Sequence, residues 1–273
     1  MVGVRKTRRW VTITLFLLPG LVGLIAFNLY PIVMSAFVSF TDWDLLTEPE
    51  YVGFDNYIDV FTGEKSRLAI LNTFTFIIGY IPIILIASLA LALLLNRKIR
   101  FLSFYRAAVF IPVITSWVAV SIIWRWILNG QNGLLNYLLS LVGVQGPIWL
   151  QDFFWAMPSI VMVTVWKDVG FFAIIILAGL QDISEDYYEA AKIDGAGTFQ
   201  QLIKISIPMV TPSMFFVVII SLINSFQLFD QVLVMTGGGP AGSTSTMVEQ
   251  VYRNAFQITR WDSLRRNRGC CSR

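Results

Sequence analysis

The chain has 273 residues, of which 56% are hydrophobic and 14% are charged, and its formal net charge is +3. Because soluble domains carry about 25% charged residues, this composition predicts a protein that crosses a membrane several times, and so small a net charge argues against a nucleic-acid partner. There is no histidine, and the only cysteines are Cys270 and Cys271, so we expect no histidine-based catalysis or metal site and no disulfide framework.

Five apolar segments are long enough to cross a hydrocarbon core about 30 Å thick as helices. The first follows a basic stretch, but it is longer than the apolar part of a signal peptide and no cleavage site follows it, so we expect an uncleaved helix. The predicted fold is an all-α, polytopic helical membrane protein. Its predicted spans are residues 11–38, 69–95, 107–128, 157–180 and 213–235.

Lysine and arginine are concentrated in alternate connections, which predicts the orientation in the membrane. The basic tail 1–10 and the 96–106 connection carry four Lys or Arg each. Since short connections rich in Lys and Arg stay in the cytoplasm, we expect both of these, and the 181–212 loop, on the cytoplasmic side. The remaining connections are then expected outside, namely residues 41–68, 129–152 and 236–260.

The end of the chain departs from this alternation. Residues 260–273 carry five Arg on the side expected to face outside, and they include both cysteines. We interpret residues 258–273 as an atypical tail that replaces a further span through a frameshift or a truncation, with an ordinary basic tail as the alternative.

The 181–212 loop is predicted to be the segment that carries the mechanism. It has two short apolar faces at helical spacing, separated by glycines and followed by Pro208 and Pro212, which are expected to end the second helix. The faces consist of Ile183, Tyr187, Ala190 and Ala191, and of Phe199, Leu202 and Ile203.

Two interpretations of this helical pair follow from the residues alone. It could be a surface hairpin lying on the membrane. It could instead be a docking element, because Ala190 and Ala191 let a partner backbone approach closely while Glu189 and Asp194 offer charge for orientation. A rigid pair of this kind could transmit movement to the spans on both sides of it.

The same stretch resembles the EAA motif of ABC-importer permeases, and the resemblance extends over roughly residues 8–257. In that motif, Glu-Ala-Ala is followed after three residues by Gly, and then at fixed spacing by Ile and Pro. Ile207 replaces the usual Leu before the proline. The matching positions are Glu189, Ala190, Ala191, Gly195, Ile205 and Pro208.

The resemblance implies a type I ABC-importer permease fold for residues 11–257, close to the larger permease of maltose- or glycerol-phosphate-type systems. It implies that the 181–212 loop docks on a cytoplasmic ATPase dimer, and that the chain pairs with a second permease subunit, usually a different chain. An extracytoplasmic binding protein is expected to deliver a sugar-type solute. The expected location is the bacterial cell membrane, and the sixth span usual in the family is missing here.

Polar residues inside the predicted spans are candidates for the solute path or for helix contacts. Lys167 is expected to form an interhelical ion pair, because buried charge in a span needs a partner. Asn224, Gln227 and Asp230 recur every three residues, close to one face. Amide and carboxylate groups suit the hydroxyls of a sugar, but they also serve as hydrogen-bonding contacts between helices, and both readings stay open.

Other classes of protein explain less of the sequence. An ion-coupled secondary transporter would need midplane carboxylates or histidine, and only Asp168 is available. The chain has no phosphate-binding glycine-lysine motif and no paired catalytic groups, so we expect no enzyme activity, no catalytic residue, no metal and no cofactor, and ATP hydrolysis by a separate subunit. A non-functional truncated permease is the remaining alternative. The 236–246 segment, with three successive glycines, is predicted to be a flexible external loop that touches the binding protein.

Overall fold

The computed structural model describes residues 2–43, 48–97 and 100–258, which are mostly helical. Two short strands, β1 (Thr41–Asp42) and β2 (Glu50–Tyr51), pair antiparallel. Three π-helical turns cover Ile25–Leu29, Leu202–Ser206 and Arg253–Ile258. The α-helices are α1 (Val2–Leu24), α2 (Tyr30–Val38), α3 (Asp55–Thr62), α4 (Glu64–Leu95), α5 (Leu102–Ile114), α6 (Trp117–Ile127), α7 (Leu134–Leu141), α8 (Ala156–Gln181), α9 (Glu185–Ile193), α10 (Thr198–Gln201), α11 (Ile207–Phe226), α12 (Asp230–Met235) and α13 (Met247–Tyr252).

The chain forms two compact units that divide after Gly63. In the first unit, a long apolar helix runs through Thr12–Val38, and no residue of its most apolar stretch is buried. The turn after it is fixed by a hydrogen bond of 2.7 Å between Ser39 Oγ and the Tyr57 hydroxyl. The helix begins at Val2, so residues 2–10 of the predicted basic tail are themselves helical.

In the second unit, α8 lies at the centre and packs against α4, α5 and α11. Its glycines allow close approach. A Cβ atom at Gly170 would overlap the backbone carbonyl of Val109 in α5, and one at Gly179 would overlap the side chain of Ser213 in α11. The main apolar core therefore follows α8, with Phe76, Ile84, Phe172, Ile176 and Val217 almost fully buried in it.

Four helices are long and apolar enough to cross a membrane among the described residues, or five if one bent pair counts as a single span. The helices α4 and α8 agree closely with the predicted spans 69–95 and 157–180. The predicted span 107–128 is the bent pair, in which α5 and α6 meet at 98°. The predicted span 213–235 is also interrupted, because α11 ends at Phe226 and α12 begins at Asp230.

The bend between α5 and α6 is stabilised from α8. The break leaves carbonyl groups at the end of α5 without intrahelical donors. Lys167 Nζ donates to the Val113 carbonyl oxygen at 3.1 Å and lies 4.5 Å from the centre of the Trp117 ring. The prediction of an ion pair for Lys167 was wrong, since within the described residues its partners are a carbonyl oxygen and an aromatic face.

Prolines do not end the helix that leads into α11, contrary to the prediction for Pro208 and Pro212. The helix runs without a break from Thr198 to Phe226. A proline lacks an N–H donor, and its ring clashes with the carbonyl four residues earlier. The π-helical turn Leu202–Ser206 immediately precedes Ile207 and Pro208, and a wider turn at this point makes room for the ring.

The predicted atypical tail cannot be compared with the structure. Residues 259–273, which include both cysteines, lie outside the described residues.

Candidate functional site

Residues 185–201 form a helical hairpin, as predicted for the first part of the 181–212 loop. Ser184 is the N-cap of α9 and accepts a hydrogen bond from the backbone N–H of Asp186 at 3.3 Å. Acidic residues occupy the first turn and Lys192 the last, which is the favourable arrangement for the helix dipole. These local features explain why a short, polar segment is helical here.

A glycine turn ends α9. Gly195 has a φ of +79°, a conformation that a residue with a Cβ rarely adopts. Its N–H donates to the Lys192 carbonyl at 3.0 Å, and the N–H of Ala196 donates to the Ala191 carbonyl at 2.8 Å. This pair of bonds is the Schellman motif, so Gly195 fixes the direction in which the chain leaves α9.

The 185–201 hairpin has a side-chain bond to the helix that follows and a bond across its own turn. The Tyr188 hydroxyl lies 2.9 Å from Ser206 Oγ, and the Gln201 side-chain amide donates to the Ala196 carbonyl at 3.0 Å. Ile205 packs against the main core, as does Tyr188. The hairpin is therefore connected to the helix that leads into α11 by side-chain contacts as well as by the backbone.

The apolar faces differ from the prediction. Tyr187 is 55% exposed, and the tyrosine that faces inward is its neighbour Tyr188. At the tip of the hairpin, Ile193 is 87% exposed and Phe199 is 73% exposed. A large part of the apolar surface thus points away from the chain.

The structure places the motif residues in two groups. Glu189, Ala190 and Asp194 are exposed on α9 or its C-cap, and Ala191 is half-buried. Ile205 and Pro208 lie beyond the hairpin, the first in the π-helical turn and the second at the start of α11.

A polar cavity of about 270 Å³ lies between α4, α6, α8 and the α11–α12 break. It brings together Asn224, Gln227 and Asp230, the three residues singled out from the sequence. They share the cavity even though the helix ends at Phe226. The cavity is lined by Phe76, Tyr80, Trp117, Thr164, Asp168, Asn224, Ser225, Gln227, Leu228, Asp230 and Gln231.

The break between α11 and α12 is held open by a contact from a distant part of the chain. The carbonyl of Leu228 accepts a hydrogen bond of 2.9 Å from Thr246 Oγ1. A carbonyl engaged in this way does not need an intrahelical donor, so the helix can stop at Phe226 and restart at Asp230. Gln227 and Asp230 are on the two sides of this break.

Tyr80 and Trp117 are among the residues of the polar cavity that were not predicted from the sequence. The Tyr80 hydroxyl, on α4, donates to Asp168 Oδ2, on α8, at 2.9 Å. Trp117, the first residue of α6, lines the same cavity. Tyr80 and Asp168 are polar residues near the middle of two predicted spans, and that shared depth was the only sequence signal for the pair.

The glycine loop, residues 236–246, is tightly bonded, which corrects the prediction that it is flexible. Thr236 and Thr244 hydroxyls lie 2.8 Å apart, and Thr244 Oγ1 also lies 2.8 Å from the Gly239 carbonyl. The Asn72 amide of α4 donates to the carbonyls of Gly242 at 2.7 Å and Ser245 at 3.0 Å.

A buried ion pair closes the glycine loop. Glu249 is 1% exposed, and its carboxylate accepts from Ser245 Oγ at 2.6 Å and from Arg253 Nε at 2.9 Å. Arg253 also donates to the Gly237 carbonyl at 2.6 Å. Hydrogen bonds between charged groups are stronger than those between neutral groups. We infer that they hold the glycine loop in one conformation.

Comparison with known proteins assigns the chain to a family. A family model described as "Binding-protein-dependent transport system inner membrane component" matches residues 60–260. The probable ABC transporter permease YesP of Bacillus subtilis (strain 168) is 35% identical over 246 residues, which cover 88% of this chain and 79% of the relative. The lactose transport system permease LacF of Rhizobium radiobacter is 35% identical over 250 residues, which cover 89% and 83%.

A solved structure gives the same fold. A bacterial alginate ABC transporter, in complex with an alginate pentasaccharide-bound periplasmic protein, matches with a TM-score of 0.81 at 24% identity, and the match covers 94% of this chain and 88% of the other. Together with the apolar helices, the polar cavity and the hairpin, these matches show a multi-pass membrane permease. The chain belongs to the family of binding-protein-dependent transport system inner membrane components.

Proposed function

We propose that this chain forms half of the translocation path of an ATP-driven importer for a sugar or a similar polyhydroxylated solute, and that its 185–201 hairpin docks on a separate cytoplasmic ATPase. The chain pairs with a second permease subunit and receives solute from an extracytoplasmic binding protein. The N-terminus lies in the cytoplasm, because the N-terminal residues and the 96–106 connection are the richest in Lys and Arg among the predicted loops.

The exposed apolar tip of the 185–201 hairpin is the main support for docking. Ile193 and Phe199 are the most exposed large apolar residues of the hairpin, and burying each of them against a partner would contribute about 1.5–3 kcal/mol. The Schellman turn at Gly195 and the Tyr188–Ser206 bond hold this tip in one position relative to α11. Movement of a docked ATPase would therefore be passed to the helix that lines the polar cavity.

The polar cavity has the chemistry that a sugar requires. Amide groups of Asn224, Gln227 and Gln231 can exchange hydrogen bonds with hydroxyls, and Phe76 and Trp117 offer aromatic faces for the apolar side of a sugar ring. The permease relative LacF carries a lactose transport name, which favours the same solute class. The second permease subunit would supply the other wall of the cavity.

Docking is tested with a cysteine at the exposed face of α9. In the background Cys270→Ser/Cys271→Ser, Ala190→Cys should crosslink to the ATPase in the assembled transporter, whereas Gln151→Cys, an exposed residue far along the chain from the hairpin, should not. Crosslinks from Ala190→Cys only to lipid reagents, in an intact complex, would remove the docking role.

The solute path is tested by uptake. Asn224→Ala and Gln227→Ala should each lower uptake of a radiolabelled sugar by the reconstituted transporter, while the complex assembles normally, because each variant removes hydrogen-bonding groups worth about 0.5–1.5 kcal/mol. Uptake kinetics unchanged in both variants would assign these side chains to helix packing instead.

A further inference from the structure

The charges that line the polar cavity are of one sign. Its lining contains two acidic residues, Asp168 and Asp230, and no Lys or Arg is among the lining residues. The rest of the lining is neutral and either amide, hydroxyl or apolar. A cavity with low-dielectric walls and one sign of charge concentrates the field of that charge.

The nearest lysine in the sequence attracts one of these carboxylates, Asp168, but it does not line the cavity. Lys167 precedes Asp168 in α8, and neighbouring side chains on a helix point about 100° apart. Its Nζ is bonded to the Val113 carbonyl at 3.1 Å and sits over the Trp117 ring. The positive charge is therefore engaged at the α5–α6 bend, with the indole of Trp117 as its neighbour there.

Asp168 is held in place from the opposite wall. Its Oδ2 accepts the Tyr80 hydroxyl at 2.9 Å, and Tyr80 is almost fully buried. A hydrogen bond to the ring hydroxyl fixes the carboxylate without supplying a countercharge. The carboxylate thus stays at the cavity lining as a fixed acceptor.

Gln231 gives a second indication that the cavity receives a polar ligand. It is 6% exposed and lines the cavity, yet its side-chain amide makes no hydrogen bond within the part of the chain that the structure describes. Its amide atoms are not among the fully buried unpartnered atoms of the described chain, so they are accessible from the cavity, and a hydroxylated solute there would provide hydrogen-bond partners.

We propose that this chain's half of the path admits uncharged or cationic solutes and rejects anionic ones, with Asp168 as the main specificity-determining residue. This deepens the proposed function and rests on the polar cavity being the solute path. A uronate, sulfonate or phosphate group in the cavity would face two carboxylates with no cation in its lining. The solute expected is therefore a neutral sugar or an amino sugar, in contrast to the acidic polysaccharide alginate that a transporter of similar fold imports.

The test measures the field in the cavity directly, without knowing the solute. In the complete transporter with Cys270→Ser/Cys271→Ser, the variant Gln227→Cys is treated with thiol reagents of similar size, the cationic MTSET, the anionic MTSES and the neutral MMTS, with and without ATP. The matched control is Gln151→Cys, which is exposed and does not line the polar cavity.

The expected result is a ratio of cationic to anionic reaction rates at Gln227→Cys that exceeds the ratio at Gln151→Cys on the order of tenfold. Asp168→Asn should lower the ratio severalfold at Gln227→Cys and leave it unchanged at Gln151→Cys. Asp168→Glu keeps the carboxylate and should leave the rate ratio unchanged. If Asp168→Asn prevents assembly, Asp230→Asn is used instead and should also lower the rate ratio at Gln227→Cys.

Two contrary results have different meanings. Equal ratios at the two positions, or a ratio insensitive to both Asp168→Asn and Asp230→Asn, would overturn the charge selectivity and leave the solute path standing. If no reagent, including neutral MMTS, modifies Gln227→Cys in either condition, the cavity is closed to water, and the solute path and the charge selectivity both fall.

Discussion

The 185–201 hairpin and the glycine loop 236–246 are both short connections that turn on glycines with positive φ, but they are built in opposite ways. The hairpin leaves its apolar side chains exposed at the tip, and the Tyr188 hydroxyl joins it to Ser206 in the rest of the chain. The glycine loop and the start of α13 bury polar side chains, with Thr244 and Glu249 at most 1% exposed. Both of these side chains are hydrogen-bonded within the chain, although the buried Ser243 hydroxyl is not.

The difference teaches how to distinguish a surface reserved for a partner from a piece of permanent structure. Exposed apolar side chains on a rigid element are available for burial by a partner, and that burial would contribute binding free energy. Buried polar side chains that are already hydrogen-bonded, such as Thr244 and Glu249, have gained their stabilising contacts within the chain. Substitutions should accordingly affect stability in the glycine loop and partner binding in the hairpin.

The largest loss of stability is expected from Glu249→Gln. The change leaves the guanidinium of Arg253 without its carboxylate, and breaking a buried pair costs about 3–5 kcal/mol, reduced here to about 3 kcal/mol because Arg253 is 40% exposed. Thermal unfolding of the purified transporter measures this loss. A variant as stable as the wild type would mean that the pair does not hold the loop.

The next largest loss of stability is expected from Gly238→Ala, which we compare with Gly195→Ala because the two glycines have nearly equal φ angles. Gly238 has a φ of +81° and Gly195 one of +79°. A Cβ at Gly238 would lie 2.9 Å from the Arg253 guanidinium, whereas nothing lies within 4 Å of one at Gly195. Gly195→Ala should cost only the left-handed conformation, about 1 kcal/mol, and Gly238→Ala about 2 kcal/mol.

The readouts of these two variants should also differ. Gly195→Ala is expected to weaken the coupling of ATP hydrolysis to transport, because the exit direction from α9 shifts, while Gly238→Ala leaves the tip of the hairpin unchanged. Thermal unfolding measures the stability of both variants. Equal losses would contradict the inference that contact with Arg253 makes the substitution at Gly238 more costly than the one at Gly195.

A smaller effect is expected from Asn72→Ala, which removes the two bonds from α4 to the glycine loop. Net hydrogen bonds contribute about 0.5–1.5 kcal/mol each, so the free energy of unfolding should fall by about 1–2 kcal/mol. Thr75→Ala is the matched control on the same helix, since its hydroxyl bonds only within α4. The control should lose less stability than Asn72→Ala.

The smallest effect on stability is expected at the hairpin tip. Phe199→Ser should change the free energy of unfolding by no more than about 0.5 kcal/mol, because the side chain is 73% exposed. The same variant should reduce recovery of the ATPase in a pull-down of the transporter. Asp182→Ser, an exposed residue just before the hairpin, should not, and equal recovery from both variants would argue against docking.

The sequence predicts correctly those features that depend only on residues close together in the chain. The glycine turn after α9 was predicted because Gly195 stands between two helical patterns, and α4 and α8 were predicted to within a few residues from apolar length alone. These features need no information from distant parts of the chain.

Long-range contacts explain the failures. The bend after Ile114 depends on Lys167, more than 50 residues away, and the end of α11 at Phe226 depends on Thr246 bonding to Leu228. Apolar length predicts one continuous span in each case, because it does not record which carbonyl groups find tertiary donors. The polar cavity was predicted only for its α11–α12 side, since Tyr80 and Asp168 meet across two helices.

The order of the elements along the chain has a consequence for biosynthesis. The central helix α8 carries Lys167 and Asp168, and placing each near the middle of a membrane costs about 2.5–3.5 kcal/mol on insertion scales. The groups that receive these side chains, Tyr80, Val113 and Trp117, all precede α8 in the chain. They have therefore left the ribosome before α8 does, so the two charged side chains can find their partners as soon as the helix enters the bilayer.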